Sequence, residues 1–124
     1  MCIAIFEDNR LFVTLMQTVL VKRGYEIVLC CYSLSDAQYR LQTNDAGRLQ
    51  RGLEIDIAIV DGNLSGAVNG EDGKEICRIL RQVNPKPLII GNSGSGAVQG
   101  ADIQAEKDIG RLMAIITDHV APSQ

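Results

Sequence analysis

Residues 55–61 read IDIAIVD, a mostly apolar run rich in isoleucine and valine that ends in the carboxylate of Asp61. Residues 2–8, CIAIFED, have the same form near the N-terminus, with Glu7 and Asp8 after the apolar run. Apolar runs of this length are typical of central strands that are covered on both faces. The two stretches therefore predict two buried strands, each followed directly by acidic side chains.

On either side of these strands the chain alternates strand-like and helix-like patterns. Apolar runs predict five strands, the last less apolar than the others, at residues 2–6, 26–31, 55–60, 88–90 and 102–106. Apolar residues at helical spacing predict four helices, over residues 10–23, from Ser33 or Ser35 to about Leu41, 71–83 and 108–120. The polar segment 43–54 predicts a loop. This alternation predicts an α/β fold with a parallel sheet and helices on both of its faces.

The composition fits one globular domain spanning residues 1–124. Apolar residues make up 46% of the chain and charged residues 22%, which excludes general disorder. The net charge of −3 argues against a broad nucleic-acid-binding face. No apolar run approaches the roughly 20 residues that a membrane span needs, and the N-terminus has no pattern of a signal peptide. We therefore expect a cytoplasmic protein without direct membrane or nucleic-acid partners.

The four cysteines do not form a metal-binding pattern. Cys2, Cys30, Cys31 and Cys77 contain no CxxC pair, and the single histidine is His119. A structural zinc site needs clustered cysteine and histidine ligands, so we discard it. We expect the cysteines to be buried free thiols.

Polar side chains follow the predicted strands at the points where the strands end. They are Glu7 and Asp8, Asp61, Ser93 and Lys107. The carboxyl ends of parallel strands meet at one edge of a sheet, so these groups should converge there. Three close carboxylates repel one another, and a hard cation such as Mg²⁺ relieves that repulsion. An anion arriving on Asp61 would meet the metal, the hydroxyl and the ammonium, a set suited to phosphoryl transfer onto a carboxylate.

In this order the motifs resemble the receiver domain of two-component response regulators along essentially the whole chain. The matching stretches are CIAIFEDN (2–9), IDIAIVDGNL (55–64), DGKEICRILR (72–81), PLIIGNS (87–93) and GADIQAEK (100–107). The resemblance implies a flavodoxin-like, CheY-like fold with five parallel strands in the order 2-1-3-4-5.

The resemblance also implies a function in signalling. Asp61 would accept a phosphoryl group from the phosphohistidine of a histidine kinase or phosphotransfer protein, and Ser93 and Lys107 would contact that group. Mg²⁺ would be held by Glu7, Asp8, Asp61 and the backbone carbonyl of Asn63. Such a domain is no enzyme in the usual sense, beyond Mg²⁺-dependent phosphorylation and dephosphorylation of its own aspartate. It would signal by a conformational change to an output partner that the sequence does not identify.

The stretch between the fourth and fifth strands departs from the family pattern. Only residues 94–99 precede the GAD motif, and Gly94 and Gly96 oppose helix formation, so helix 4 of the family is predicted to be shortened or missing. Gln104 stands where the family carries an aromatic switch residue. Asp108 replaces the usual proline after the lysine, so no cis peptide bond is expected there. We therefore do not expect dimerisation through the usual helix 4–strand 5–helix 5 face.

The loop after Asp61 departs as well, with an insert of about residues 67–69 and Ser65 in place of the usual proline. Three alternatives remain open at this point. The first is a pseudo-receiver, an interaction module that uses the fold without phosphorylation. The second is a calcium loop, because residues 61–72 partly imitate an EF-hand. The third is a flavin or nucleotide domain that uses GNSGSG, residues 91–96, as a phosphate cradle.

Overall fold

The structure is a computed structural model that describes residues 1–64, 71–94 and 96–120. The element bounds, in chain order, are β1 (Cys2–Phe6), α1 (Arg10–Lys22), β2 (Glu26–Cys31), α2 (Leu34–Arg40), a short 3₁₀ turn (Gln50–Gly52), β3 (Ile57–Val60), α3 (Glu71–Leu80), β4 (Leu88–Gly91), β5 (Ile103–Gln104) and α4 (Ile109–Val120). Among the described helices, none has the length and apolar character required to cross a membrane.

The five strands form one parallel sheet in the order β2-β1-β3-β4-β5. In the centre of the sheet, Ile3 pairs with Ile57 and Ile57 pairs with Leu88. The predicted α/β fold, with its parallel sheet and its strand order, is therefore confirmed. The order places β1, β3 and β4 side by side, so the residues that follow these strands emerge at one edge.

Both faces of the sheet are apolar, which explains why its central strands lack polar alternation. Ile3 and Ile5 of β1 pack with α1 and α4, whereas Ala4 and Phe6 pack with α2 and α3. Successive side chains of a strand point to opposite faces, so an uninterrupted apolar run fills two cores at once. Helices cover both faces, as predicted.

The helices begin at polar side chains that follow the strands. Asn9 accepts a hydrogen bond from the backbone N–H of Phe12 and caps α1. Ser33 caps α2 in the same way. Asp108 accepts one from the N–H of Arg111 in the first turn of α4. Side-chain acceptors at these positions satisfy N–H groups that have no partner within the helix.

Several element ends differ from the sequence prediction. Helix α3 ends at Leu80 rather than at Val83, because the chain tightens there: the N–H of Val83 donates to the carbonyl of Leu80, three residues back. Strand β3 begins at Ile57 rather than at residue 55, and the Asp56 carboxylate accepts a hydrogen bond from the N–H of Cys2. Strand β5 has two residues rather than the five predicted.

The cysteines are free thiols, as expected, but the prediction that all of them are buried is wrong for two. Cys31 and Cys77 are buried, and burial raises the pKa of Cys31 to about 12 and that of Cys77 to about 11. Cys2 and Cys30 are partly exposed. Cys30 lies on β2, one of the two edge strands of the sheet, and Cys2 begins β1.

No helix lies between β4 and β5 in the described residues of that connection, 92–94 and 96–102. This agrees with the predicted loss of helix 4, so the last helix, α4, takes the position of the family's fifth helix. The predicted loop 43–54 is irregular as expected, apart from the short 3₁₀ turn and an isolated bridge between Thr43 and Leu49.

Candidate functional site

The acidic residues after β1 and β3 continue the hydrogen-bond ladder of the sheet by one step. The N–H of Glu7 donates to the carbonyl of Cys31 at 3.0 Å, and the N–H of Asp61 donates to the carbonyl of Phe6 at 2.9 Å. Their backbones are thus held as firmly as those of the strands. The two carboxylates consequently stand side by side at the carboxyl edge of the sheet.

Glu7, Asp8 and Asp61 together form a cluster that could hold a cation. Each can offer one carboxylate oxygen, and the three oxygens lie within 4.8 Å of one another. Glu7 and Asp61 are buried, and Asp8 is the most accessible of the three. Oε1 of Glu7 is buried and has no hydrogen-bond partner among the described residues. A hard cation with oxygen ligands, such as Mg²⁺, fits this donor set.

Lys107 supplies positive charge to the same cluster. Its Nζ lies 3.2 Å from Oε2 of Glu7 and 3.5 Å from Oδ2 of Asp61. It also lies 5.3 Å from the centre of the Phe12 ring, within the range of a cation–π contact. Desolvation opposes the charge of Lys107, but the two carboxylates outweigh it, and the pKa of Lys107 is raised. The ammonium therefore stays charged within the site.

The backbone before α4 aims Lys107 at the acids. Glu106 and Lys107 both have φ of 57°, in the left-handed region that side chains other than glycine rarely adopt. Asp108 then begins the helix. The sequence predicted no cis peptide bond after Lys107, and the Lys107–Asp108 bond is not cis. Among the described residues, the cis peptide bond is Asn84–Pro85. Two left-handed residues and a helix cap thus place the lysine here.

The ionisation of Glu7 is strongly perturbed. Burial, followed by the negative charge of Asp61, raises the pKa of Glu7 from 4.5 to about 8. The N–H of Asn9, which donates to Oε2 at 3.1 Å, and the charge of Lys107 act in the opposite direction without overcoming burial. Without a cation, Glu7 therefore tends to hold a proton near neutral pH.

Ser93 lies close to the backbone that follows Asp61. It is buried, and a Cβ atom added to Gly62 would lie 3.5 Å from the Ser93 hydroxyl oxygen. The same added atom would lie 3.8 Å from a methyl group of Val98. The segment after β4 therefore lies close to the backbone that follows Asp61, at distances of ordinary van der Waals contact.

Helix α3 packs directly on the loop after β3. A Cβ atom at Gly73 would lie 2.6 Å from the carbonyl oxygen of Asp61, and the N–H of Gly73 donates to the carbonyl of Gly62 at 3.0 Å. Asp72 accepts a hydrogen bond from the N–H of Leu64 at 3.2 Å. The pair Asp72–Gly73 therefore holds residues 61–64 in place.

Sequence reasoning did not assign this positioning role. A glycine within an amphipathic helix was the available signal, since such a glycine opposes the helix and usually has a packing reason. Asn63 is half-buried in the loop so held, and the ligand role of its carbonyl stays a prediction. The predicted insert 67–69 and Ser65 lie outside the described residues.

Two alternatives lose their structural basis here. An EF-hand needs a helix before its loop, but strand β3 precedes Asp61, and Asp72 binds the backbone of Leu64. A phosphate cradle at residues 91–96 would need a helix to follow it, and the described residues of the connection contain none. Gly91 belongs instead to β4, where it pairs with Val60.

Solved structures similar to this chain include response regulators and receiver domains. TrrA of Thermotoga maritima, a response regulator in complex with Mg²⁺–BeF, is 18% identical with a TM-score of 0.71; the match covers 94% of this chain and 96% of that one. The receiver domain of the hybrid histidine kinase CckA is 20% identical with a TM-score of 0.68, over 97% and 99% of the two chains.

The receiver domain of a Pseudomonas aeruginosa sensor histidine kinase, with a magnesium ion coordinated in its active-site cleft, is 19% identical with a TM-score of 0.69, over 97% of each chain. This chain has the CheY-like receiver fold. No family model and no curated protein sequence matches the chain. The receiver fold therefore persists here with little sequence identity, and without a helix between β4 and β5 in the described residues.

Proposed function

We propose that this chain is a phosphoryl-accepting receiver domain of two-component signalling, with Asp61 as the acceptor. One observation carries the proposal: Lys107 lies within 3.5 Å of both Glu7 and Asp61, and Asp8 completes a cluster of carboxylates that fits a cation. These residues come from three separate strand ends. A set of three acids with one ammonium has the charges that phosphoryl transfer onto a carboxylate requires.

In the proposed reaction, a carboxylate oxygen of Asp61 attacks the phosphorus of a phosphohistidine. The phosphorus–nitrogen bond breaks, and the released imidazole takes up a proton, leaving an acyl phosphate on Asp61. Bound Mg²⁺ supplies charge neutralisation at the phosphoryl oxygens. Glu7, Asp8, Asp61 and the Asn63 carbonyl would hold that ion.

The remaining two site residues would act on the transferred group itself. The Lys107 ammonium, already paired with Asp61, can move its contact to a phosphoryl oxygen once the carboxylate has become an acyl phosphate. The buried Ser93 hydroxyl lies beside Gly62, the residue next to the acceptor, and can donate a hydrogen bond to another phosphoryl oxygen. Both contacts stabilise the phosphorylated product, because each places a hydrogen-bond donor against a negatively charged phosphoryl oxygen.

Similar structures support the chemistry. TrrA is described with Mg²⁺–BeF, and a response regulator from Burkholderia pseudomallei with a phosphorylated aspartic acid and a calcium ion. The latter is 16% identical with a TM-score of 0.66, over 99% of this chain and 70% of that chain. Two further neighbours are receiver domains of histidine kinases, which supports a kinase or phosphotransfer protein as the donor.

The proposal also covers where in the cell the domain works and how it passes on its signal. It would work in the cytoplasm and pass its signal to a partner protein, without binding nucleic acid or membrane itself. Any dimer would not use the helix 4–strand 5–helix 5 face, because the described connection before β5 contains no helix to build that face.

Intact-mass spectrometry after incubation with acetyl phosphate and Mg²⁺ tests the proposal. We expect the mass gain of one phosphoryl group, which is lost in Asp61→Asn and on removal of Mg²⁺ by EDTA. Asp56→Asn is the matched control, because Asp56 is exposed and precedes the same strand. It should be phosphorylated like the wild type.

One alternative retains a specific observation in its favour. The Gln104 side chain is fully engaged with the backbone of Val98, so it cannot reorient as a switch without breaking two hydrogen bonds. A pseudo-receiver that binds a partner without phosphorylation would have no need of such a switch. Failure of the wild type to gain mass with acetyl phosphate, and also with phosphoramidate, would favour that alternative.

A further inference from the structure

Gln104 binds both backbone groups of Val98. Its Nε2 donates to the Val98 carbonyl at 3.0 Å, and its Oε1 accepts from the Val98 N–H at 3.0 Å. A side-chain amide paired with both groups of one residue imitates one step of a β-ladder. We call these two hydrogen bonds the Gln104 latch. The latch ties the irregular connection before β5 to β5 itself.

Gly91 makes room for the latch. It pairs with Gln104 in the sheet, and a Cβ atom at position 91 would collide with Oε1 of Gln104 and lie 3.0 Å from Cβ of Val98. Any side chain at position 91 would therefore push the amide off Val98. The latch thus depends on a glycine opposite Gln104 as well as on the glutamine.

The latched residue forms part of the site wall. Val98 is 2% exposed, and one of its methyl groups lies against Gly62, as does the Ser93 hydroxyl. Gly62 directly follows the acceptor Asp61. The latch therefore holds an apolar side chain against the backbone on which the proposed phosphoryl site is built.

The two ends of the connection are held by different contacts. At its end, Arg81 donates to the carbonyl of Gly100 at 2.6 Å and pairs with Asp102 at 2.8 Å, and Asp102 accepts from the N–H of Ile89. Near its start, a cavity of about 350 Å³ lies beside the chain, lined by Ser93, Gly94, Gly96, Ala97, Gln104 and Glu106. The latch is a polar contact that ties the described part of this connection, at Val98, to β5.

We propose that Gln104 is a positioning residue: its amide holds Val98, across Gly91, so that the wall beside Ser93 and Gly62 stays in place without helix 4. The latch itself is independent of phosphorylation, whereas its effect on the reaction rests on the proposed function. Loss of the latch should loosen residues 94 and 96–98 and slow phosphorylation of Asp61, because Ser93 would be held less precisely.

Gln104→Met tests the latch, because methionine has a similar length but neither donates nor accepts here as an amide does. Gln99→Met is the matched control: Gln99 is exposed and lies in the same connection. Amide hydrogen exchange at Val98, followed by NMR, should accelerate about tenfold or more in Gln104→Met and remain as in the wild type in Gln99→Met. The rate of phosphorylation by acetyl phosphate should fall in Gln104→Met alone, through a lower maximal rate constant rather than a higher acetyl phosphate concentration for half-maximal rate.

Gln104→Glu separates the latch from general loss of packing. A protonated carboxyl group can donate to the Val98 carbonyl and accept from its N–H, whereas a carboxylate can only accept. Exchange at Val98 should therefore match the wild type at low pH and accelerate as the new carboxyl ionises. Glu106 lines the same cavity in both proteins, so the comparison is made with the wild type at each pH.

The outcomes separate the two proposals. Unchanged exchange at Val98 in Gln104→Met, or no pH dependence in Gln104→Glu, overturns the latch. Faster exchange with an unchanged phosphorylation rate overturns the positioning role. If the wild type takes no phosphoryl group, the proposed function fails, and exchange at Val98, Ser93 and Gly94 alone decides whether the latch holds the wall.

Discussion

Lys107 Nζ lies 3.2 Å from Oε2 of Glu7, and this ion pair joins residues that are 100 positions apart in the chain. Glu7 is 1% exposed, and burial raises its pKa to about 8 even with this ammonium beside it, so without a bound cation the carboxyl group holds a proton near neutral pH. The pair therefore links the two ends of the sequence at one site. Because Glu7 follows β1 and Lys107 follows β5, the charge balance of that site depends on the assembly of the whole sheet.

Replacement of Lys107 by methionine tests the charge balance. We expect phosphorylation by acetyl phosphate to slow by about tenfold or more, because a preorganised positive group near the reacting oxygens is lost. Mg²⁺ should bind at least as tightly, since a competing positive charge leaves the carboxylates. Mass spectrometry of samples quenched at successive times measures the phosphorylation rate, and calorimetric titration measures Mg²⁺ binding.

Lys86→Met is the control for that change, because Lys86 is exposed and lies before β4, at the opposite edge of the sheet. It should leave both quantities as they are in the wild type. Equal phosphorylation rates for Lys107→Met and the wild type would remove Lys107 from the reaction.

The raised pKa of Glu7 predicts how stability depends on pH without a metal. In the unfolded chain Glu7 ionises near pH 4.5, whereas in the folded protein its pKa is about 8. Between these values the folded state holds a proton that the unfolded state has released, so stability falls as the pH rises from about 4.5 to about 8. Urea unfolding in EDTA across this range measures the slope.

Glu7→Gln should remove much of that slope, whereas Glu54→Gln, at an exposed position, should retain it. Added Mg²⁺ should raise stability most at high pH, because ligation requires the deprotonated carboxylates. The same slope in Glu7→Gln and the wild type would show that Glu7 is not the group that titrates.

Replacement of glycine by alanine should affect stability differently at Gly73 in α3 and at Gly110 in α4. Alanine favours a helix over glycine by about 1 kcal/mol at each position. At Gly73 the new Cβ would lie 2.6 Å from the Asp61 carbonyl oxygen, and backbone cannot move aside cheaply. Gly73→Ala should therefore destabilise the protein by about 1–3 kcal/mol and slow phosphorylation.

At Gly110 the nearest atom to a new Cβ is Oδ1 of Asp108, at 3.3 Å; this side-chain oxygen moves more easily than backbone, but it also accepts from the N–H of Arg111, so part of the gain in helix propensity is offset. Gly110→Ala should therefore be neutral or stabilising by up to about 1 kcal/mol. Denaturant unfolding of both variants gives the two values. A Gly73→Ala protein as stable as the wild type would contradict the tight contact between α3 and the loop after β3.

Asn92 predicts a stabilising substitution in the core. It is fully buried, and its Oδ1 has no hydrogen-bond partner in the described part of the chain. Among the described residues, its Nδ2 donates only to the sulfur of Met16, a weak acceptor, at 3.9 Å. Asn92→Val removes the cost of this unsatisfied polar group and should raise the free energy of unfolding by about 1 kcal/mol.

Asn9→Val is the matched comparison, because the Asn9 side chain caps α1 through the N–H of Phe12. It should destabilise the protein by about 1 kcal/mol. Opposite signs for the two asparagine variants in thermal or urea unfolding would support both assignments. A destabilised Asn92→Val would show that Asn92 has a polar partner in solution, such as a buried water.

The element pattern was predictable because it depends on local periodicity. The runs 2–6 and 88–90 had no polar alternation, and in the structure residues 3–6 of β1 alternate between the apolar cores on the two faces of the sheet. Element ends were less predictable. The five-residue fifth strand became the pair Ile103–Gln104, because only these two residues align with Ile90 and Gly91 of β4.

Burial also depended on position in the sheet. Cys30 and Cys31 are neighbours in the same strand, yet Cys31 is buried and Cys30 is partly exposed. Their apolar character in the sequence is equal, but β2 is an edge strand, and the layers that cover its two faces differ. Local sequence does not contain the position of those layers.

The sequence by itself determined the order of strands and helices and the identity of the polar groups after each strand, because hydrophobic periodicity and chain order are local properties. Only the tertiary structure decided which of those groups meet: the distance from Lys107 to Glu7, the burial that raises the pKa of Glu7, and the latch of Gln104 on Val98 across Gly91. Each of these depends on register and on desolvation by distant segments, and neither property exists until the sheet has formed.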